Sequence, residues 1–167
     1  VVTEDDHLRQ RTFTWEDPMA VLARSKHLSG LEYLQAMLRG EFPSPPISKA
    51  LDFKLVSIEK GRAVFECMPQ EFHYNPIGVV HGGLASTLLD SAMGCAVQTM
   101  LPAGTTYVTV ELHINLVRAN TKTTGLVYAE SEVLHSGRTL ATAQGRLTDA
   151  QGKLYAHGST TCIVSTG

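Results

Sequence analysis

The 167-residue chain is short of cysteine, has a single tryptophan and carries no surplus of positive charge. Each shortage excludes something. The three cysteines, Cys67, Cys95 and Cys162, are odd in number and far apart, which fits buried core residues in a reducing compartment. It does not fit a disulfide framework or a zinc site, so the chain reads as cytoplasmic. Fourteen Lys and Arg against sixteen Asp and Glu leave a net charge of −2, so long-range attraction to nucleic acid or to an anionic membrane is not expected. No apolar run approaches the roughly 18–20 residues of a membrane-spanning helix. The polar start, Val1 to Arg11, shows no basic segment followed by an apolar one, so no signal peptide is visible. Apart from His81, the histidines (His7, His27, His73, His113, His135, His157) lack metal-ligand spacing, and no metal is expected. Repeats and low-complexity tracts are also missing.

What is present fits one globular domain with a short extra element: 43% of residues are hydrophobic and 18% charged. Asp17-Pro18 reads as a helix start, with Asp17 capping and Pro18 at the first helical position. Leu31, Leu34, Met37 and Leu38 fall at helical spacing, predicting a second helix over about 30–39 that Gly40 stops. Pro43-Ser44-Pro45-Pro46 reads as a connection. From Ala50 the pattern turns to strands. Leu51 to Ile58 and Ala63 to Met68 form a hairpin across Glu59-Lys60-Gly61-Arg62, and Glu71 to Gly78 is a polar loop. His81 to Met100 is the one long helical segment of this region. Four strands follow, over about 105–118, 125–135, 138–149 and 153–164. In the first, Val108, Val110, Leu112, Ile114 and Leu116 are expected on one face, with Thr109, Glu111, His113 and Asn115 on the other. Ser136-Gly137 and Gln151-Gly152 read as tight turns. These connections are too short for parallel crossovers, so the sheet should be antiparallel. The small-residue helix, with Ala85, Ser86, Ser91, Ala92, Gly94, Cys95 and Ala96, should cover its apolar face. The fold class is α+β.

The stretch Asn75 to Asp90, NPIGVVHGGLASTLLD, carries the chemistry. A helix starting at His81-Gly82-Gly83 presents unpaired N–H groups and the positive end of its dipole. Glycines there let a ligand approach the backbone closely. That end suits an anion or a polarised carbonyl, or it is simply a tight entry turn. Asp90 lies seven residues after Gly83, about two turns on, so it shares a face with Gly83, Ser86 and Gly94. Aspartate is a poor mid-helix residue. Its neighbours Leu88, Leu89, Ala92 and Met93 are apolar, which points to a functional carboxylate more than to a solvated one. Asn75 and His81 flank the loop and fit a turn or hydrogen-bonding role equally well.

The spaced pattern Asn75-x5-His81-Gly82-Gly83-x6-Asp90 resembles the signature of the hotdog-fold acyl-CoA thioesterases of the PaaI type, related to phenylacetic acid degradation thioesterases. The likeness covers about Ala50 to Val164. It implies a long central helix wrapped by a curved antiparallel sheet over 49–167, preceded by an N-terminal extension with short helices over 1–48. It implies a homodimer or homotetramer whose sites mix residues from two chains. By resemblance, Gly82, with Gly83 beside it, gives a backbone N–H to the thioester carbonyl. Asp90 of the facing subunit is general base or nucleophile. Asn75 places water or thioester, and His81 supports Asn75 and the loop. Thr109 is the nearest match to a water-holding serine on the following strand. Arg138, after the Ser136-Gly137 turn, is the first candidate for a CoA phosphate, with Arg118 and Lys122 behind it.

The implied reaction is acyl-CoA plus water to carboxylic acid plus CoA, with no cofactor beyond the CoA of the substrate. Two alternatives share the fold. One is a dehydratase or hydratase acting on acyl thioesters, whose His-and-acid pattern is not found here. The other is a non-catalytic acyl-CoA-binding protein, which would be expected to lose the acid that Asp90 supplies.

Overall fold

The computed structural model describes residues 8–166; the first seven residues of the expected extension lie outside them. Three helices lead: α1 (Pro18–Ser25), α2 (Gly30–Leu38) and α3 (Pro46–Leu51). As the sequence indicates, Asp17 caps α1 by accepting the Met19 N–H at 2.9 Å. In α2, Ser29 and Glu32 form a reciprocal box: the Ser29 N–H donates to Glu32 Oε2 at 2.8 Å, and the Glu32 N–H to Ser29 Oγ at 3.3 Å. The proline-rich connection is shorter than expected. Pro46 is itself the first residue of α3, where its fixed φ and missing N–H cost nothing. That helix takes Leu51, which the sequence pattern assigns to a strand.

Six strands and a long helix follow: β1 (Phe53–Glu59), β2 (Arg62–Cys67), α4 (Gly82–Gln98), β3 (Thr105–Leu116), β4 (Val127–Ser136), β5 (Leu140–Asp149) and β6 (Leu154–Thr166). They form one sheet in the order β1-β2-β4-β5-β6-β3. Every pairing is antiparallel. Thus β3 leaves its sequence neighbour β4 and becomes an edge strand against β6.

α4 lies across the inner face of the sheet, burying Leu84, Leu88, Leu89, Met93 and Val97. The strands answer with small residues. Ala63, Ala129, Ala141, Ala143 and Ala156 are all fully buried. A Cβ on Gly145 would already press on Leu89 and Met93 at 3.1 and 3.2 Å. These small strand residues, with Ala85, Ala92, Gly94 and Ala96 buried between the larger side chains of α4, let the sheet wrap closely around the helix. Ser131 Oγ bonds across the layers to Ala92 O at 2.8 Å.

One sequence expectation is overturned on β3. A bulge between Thr109 and Glu111 shifts the pairing with β6, so that Thr109 opposes Cys162 and Glu111 opposes Thr161. The extra residue, Val110, reverses the alternation. Val108 therefore pairs with Ile163 on the outer face, at 63% exposure, whereas Leu112, Ile114 and Leu116 pair with Thr160, Gly158 and Ala156 on the inner face. Before the bulge the inward residues are Tyr107 and Thr109.

The extension is fastened to this core at Gly30. Its N–H donates to Leu101 O at 3.0 Å, and a Cβ placed there would lie 1.8 Å from the backbone oxygen of Gln98. Backbone cannot swing away as a side-chain tip can. Gly30→Ala is expected to destabilise the protein by about 1–3 kcal/mol, seen as a fall of several degrees in the thermal midpoint. A parent-like midpoint would show that α2 is not held this way.

Candidate active site

α4 begins at Gly82 because His81 caps it. His81 is extended, and its Nδ1 accepts the Gly83 N–H at 2.8 Å. The His81 N–H donates to His73 O at 2.8 Å, tying the helix start to the preceding loop. His73 is buried: its Nδ1 accepts the Gln70 N–H at 3.0 Å and its Nε2 lies 2.9 Å from Leu51 O. Burial, the largest influence, pushes its pKa below the ordinary histidine value.

Asn75 holds the same loop. Its Oδ1 accepts the Ile77 N–H at 3.1 Å and the Val79 N–H at 3.2 Å, which leaves the side-chain NH2 for a ligand or water. His81 acts on the helix and on His73, and no hydrogen bond joins it to Asn75 among the described residues. The two glycines also divide. The Gly83 N–H is used by His81, whereas the Gly82 N–H meets no acceptor among the described residues. A Cβ on Gly82 would lie 2.4 Å from Leu116 Cδ1, the tip of a side chain that is more than half exposed and can turn aside.

A slot of about 310 Å3 opens at this helix end, lined by Asn75, His81, Gly82, Leu116, Arg118 and Asn120, among others. Arg118 is held by Leu154 O at 3.3 Å and sits over the Tyr155 ring. Asn120 Oδ1 is buried with no donor among the described residues. Nothing about Asn120 in the sequence marks it, because its neighbourhood comes from three separate segments.

Asp90 lies elsewhere. Its half-buried carboxylate faces the sheet, where Thr109 Oγ1 donates to Oδ1 at 3.1 Å. The β3 bulge makes this contact, since in an unbroken alternation Thr109 would lie on the face opposite Leu112, Ile114 and Leu116, pointing away from α4. Eight residues of helix separate Gly82 from Asp90, about 12 Å of rise. One chain therefore brings Asp90 to Thr109, and Asn75 to Gly82, but does not bring the two halves together. Arg138 is exposed in the β4–β5 turn and makes no hydrogen bond or ion pair among the described residues.

The thiols nearby are no substitute for the carboxylate. Burial, with Asp90's charge adding, pushes Cys95 up to about 12, and burial also raises Cys162. Both stay protonated, and a thiol in that form is a poor nucleophile.

A long helix clasped by a single antiparallel sheet, with a carboxylate on the helix facing a hydroxyl on the sheet, defines a hotdog protein. The chain belongs to the thioesterase superfamily, whose sequence pattern it matches over residues 77–156. A Saccharolobus solfataricus protein carrying an esterase designation is 38% identical over 110 residues, 66% of this chain and 76% of that protein. Human acyl-coenzyme A thioesterase 13 is 35% identical over 105 residues, 62% of this chain and 74% of that protein. Among solved structures, the Escherichia coli PaaI protein from the phenylacetic acid degradation operon has the same fold, with a TM-score of 0.71 at 23% identity over 84% of this chain and 97% of that one.

Proposed function

We propose that this protein hydrolyses acyl-CoA thioesters to carboxylic acid and CoA, in an oligomer whose sites each draw on two chains. The observation that carries the reading is the split site. An unpaired Gly82 N–H stands at one end of the α4 face and an oriented Asp90 carboxylate eight residues along it. A carbonyl touching Gly82 is out of reach of Asp90 on the same helix, at about 12 Å. A second copy related by a two-fold axis brings its Asp90 to that carbonyl, and the operation makes two equivalent sites.

In such a site the Gly82 N–H, with the helix dipole behind it, polarises the thioester carbonyl and holds the oxyanion that develops. His81 keeps this helix end in shape by taking the Gly83 N–H. Thr109 occupies Asp90 Oδ1 and leaves Oδ2 for water. As general base, Asp90 removes a proton while the water oxygen bonds to the carbonyl carbon. The tetrahedral intermediate then collapses, the carbon–sulfur bond breaks, and CoA leaves as thiolate to be protonated. The free NH2 of Asn75 is placed to direct the water or the thioester. The slot with Arg118 and Asn120 suits the polar arm of CoA, and Arg138 is the first candidate for a phosphate. Three free thiols agree with a cytoplasmic setting.

The test is thiol release from a panel of acyl-CoAs of different chain length and aromatic character. Release above the uncatalysed rate for part of the panel is expected. Tight binding with no release from any member would instead make the protein an acyl-CoA binder.

A further inference from the structure

The leading segment and the site loop meet at one place that the proposed chemistry does not use, the C-terminal end of α3. A helix leaves its last carbonyls without partners of its own. Here three in succession are taken from outside. Arg11, from the segment before α1, donates through Nη2 to Lys49 O at 2.7 Å and through Nη1 to Ala50 O. His73 reaches the next one, with Nε2 2.9 Å from Leu51 O. Its Nδ1 accepts the Gln70 N–H at 3.0 Å, so the proton of the neutral ring sits on Nε2 and is donated to Leu51 O. Burial favours that neutral ring. The two residues are also linked through Phe72. The Arg11 guanidinium lies 4.3 Å from the centre of the Phe72 ring, which is itself 4.1 Å from the His73 ring.

His73 stands at the base of the loop that carries the site. Its carbonyl accepts the His81 N–H at 2.8 Å, Tyr74 bridges to Val80, and the Asn75 N–H donates to Val79 O at 2.8 Å. The loop is thus a short closed ribbon, with Asn75 two residues after His73 and Gly82 directly after His81. On its other side it is held by the Val80 N–H to Asn120 O and by the Lys122 N–H to the Tyr74 hydroxyl, both at 2.9 Å. A displacement at the base moves Asn75 and Gly82 with it, because the ribbon's own hydrogen bonds keep it in one piece. Resting on the proposed thioesterase reading, we infer that Arg11 and His73 are positioning residues for hydrolysis. Together they hang the base of this loop on the end of α3, and so set where the Gly82 N–H and the Asn75 NH2 stand against the thioester. The segment before α1 therefore serves the site as well as the fold.

The experiment measures kcat and KM, well below each thermal midpoint, for an acyl-CoA that the parent hydrolyses. His73→Leu fills the ring's place without either hydrogen bond, and Arg11→Met keeps a stem on Phe72 without the guanidinium. A group misplaced by roughly 1 Å can cost about a hundredfold, so His73→Leu is expected to lower kcat by about ten- to a hundredfold and Arg11→Met by about three- to tenfold. KM should change less than kcat, because the Gly82 N–H acts most strongly on the charge that develops in the transition state. His73→Gln, whose amide can still donate to Leu51 O, and Arg11→Lys, which can still reach one carbonyl, should each recover part of the loss. A residue that serves only the fold would lower the midpoint and leave kcat of the folded protein at the parent value. That result, a loss confined to KM, or no recovery in the conservative variant removes the residue from this role and leaves the thioesterase reading standing. If His73→Leu does not fold, His73→Gln carries its part of the test, since its kcat must still fall below the parent's and a parent-like value overturns the inference. A parent that hydrolyses no acyl-CoA overturns the reading beneath it.

Discussion

Asp90→Asn is expected to leave a folded protein whose kcat for acyl-CoA hydrolysis is lower by about 10²–10⁴-fold, the usual contribution of a positioned general base. The change is nearly isosteric. The asparagine oxygen still accepts from Thr109 Oγ1, the bond that Asp90 Oδ1 makes at 3.1 Å, so the side chain keeps its place. What is lost is the ability to take a proton from water. KM should move little, because the Gly82 N–H and the slot at the helix start are untouched. Asp90→Ala should be at least as slow, and it removes the Thr109 partner as well. The assay is thiol release under saturating substrate, with CoA binding measured beside it to confirm an intact site. Parent-like turnover in both variants would remove Asp90 from the reaction.

Much of this was legible in the sequence, for a physical reason: it is local. The cap, the bare helix start and the carboxylate two turns later sit within Asn75 to Asp90, where helical periodicity alone relates them. The antiparallel sheet was legible from alternation and short turns, and the Lys60-Gly61 hairpin loop, with Gly61 at φ +77°, falls where the sequence puts it. The facing of β3 was not. Its valines and leucines alternate without a break, and the bulged residue is a β-branched valine like its neighbours. The shift exists only in the pairing with β6, about fifty residues away. The strand order was hidden in the same way, since β3 chooses β6 over β4 through contacts no local pattern encodes. Thr109 was named by resemblance while periodicity placed it on the wrong face, and the bulge reconciles the two. The meeting of Arg11 and His73 at the end of α3 needs three separate segments in place before either residue stands out.

Two inactive chains are expected to make an active oligomer together. The first is Asp90→Asn, and the second is Gly82→Pro. Proline at this position deletes the N–H proposed to hold the carbonyl and little else. Gly82 is the first helical residue, where proline is well tolerated. His81 before it is already extended, at φ −62° and ψ 133°, as a residue preceding proline must be. The Cβ of the ring would meet the tip of Leu116, which is 56% exposed and free to turn away. Loss of one such donor costs about 10²–10³ in kcat, so each variant alone should be nearly inert. In a hybrid pair, the intact Gly82 of the Asp90→Asn chain faces the intact Asp90 of the Gly82→Pro chain, and one of the two sites is whole. With equal amounts and random exchange about an isologous two-fold, half the pairs are hybrids with half their sites restored. The mixture should then recover roughly a quarter of parent activity per chain. Exchange is verified by native mass spectrometry of differently tagged chains. If hybrids form and activity stays at the mean of the two variants, each site is contained within one chain, and the helix that carries Gly82 must reach its acid by some route other than a partner's Asp90.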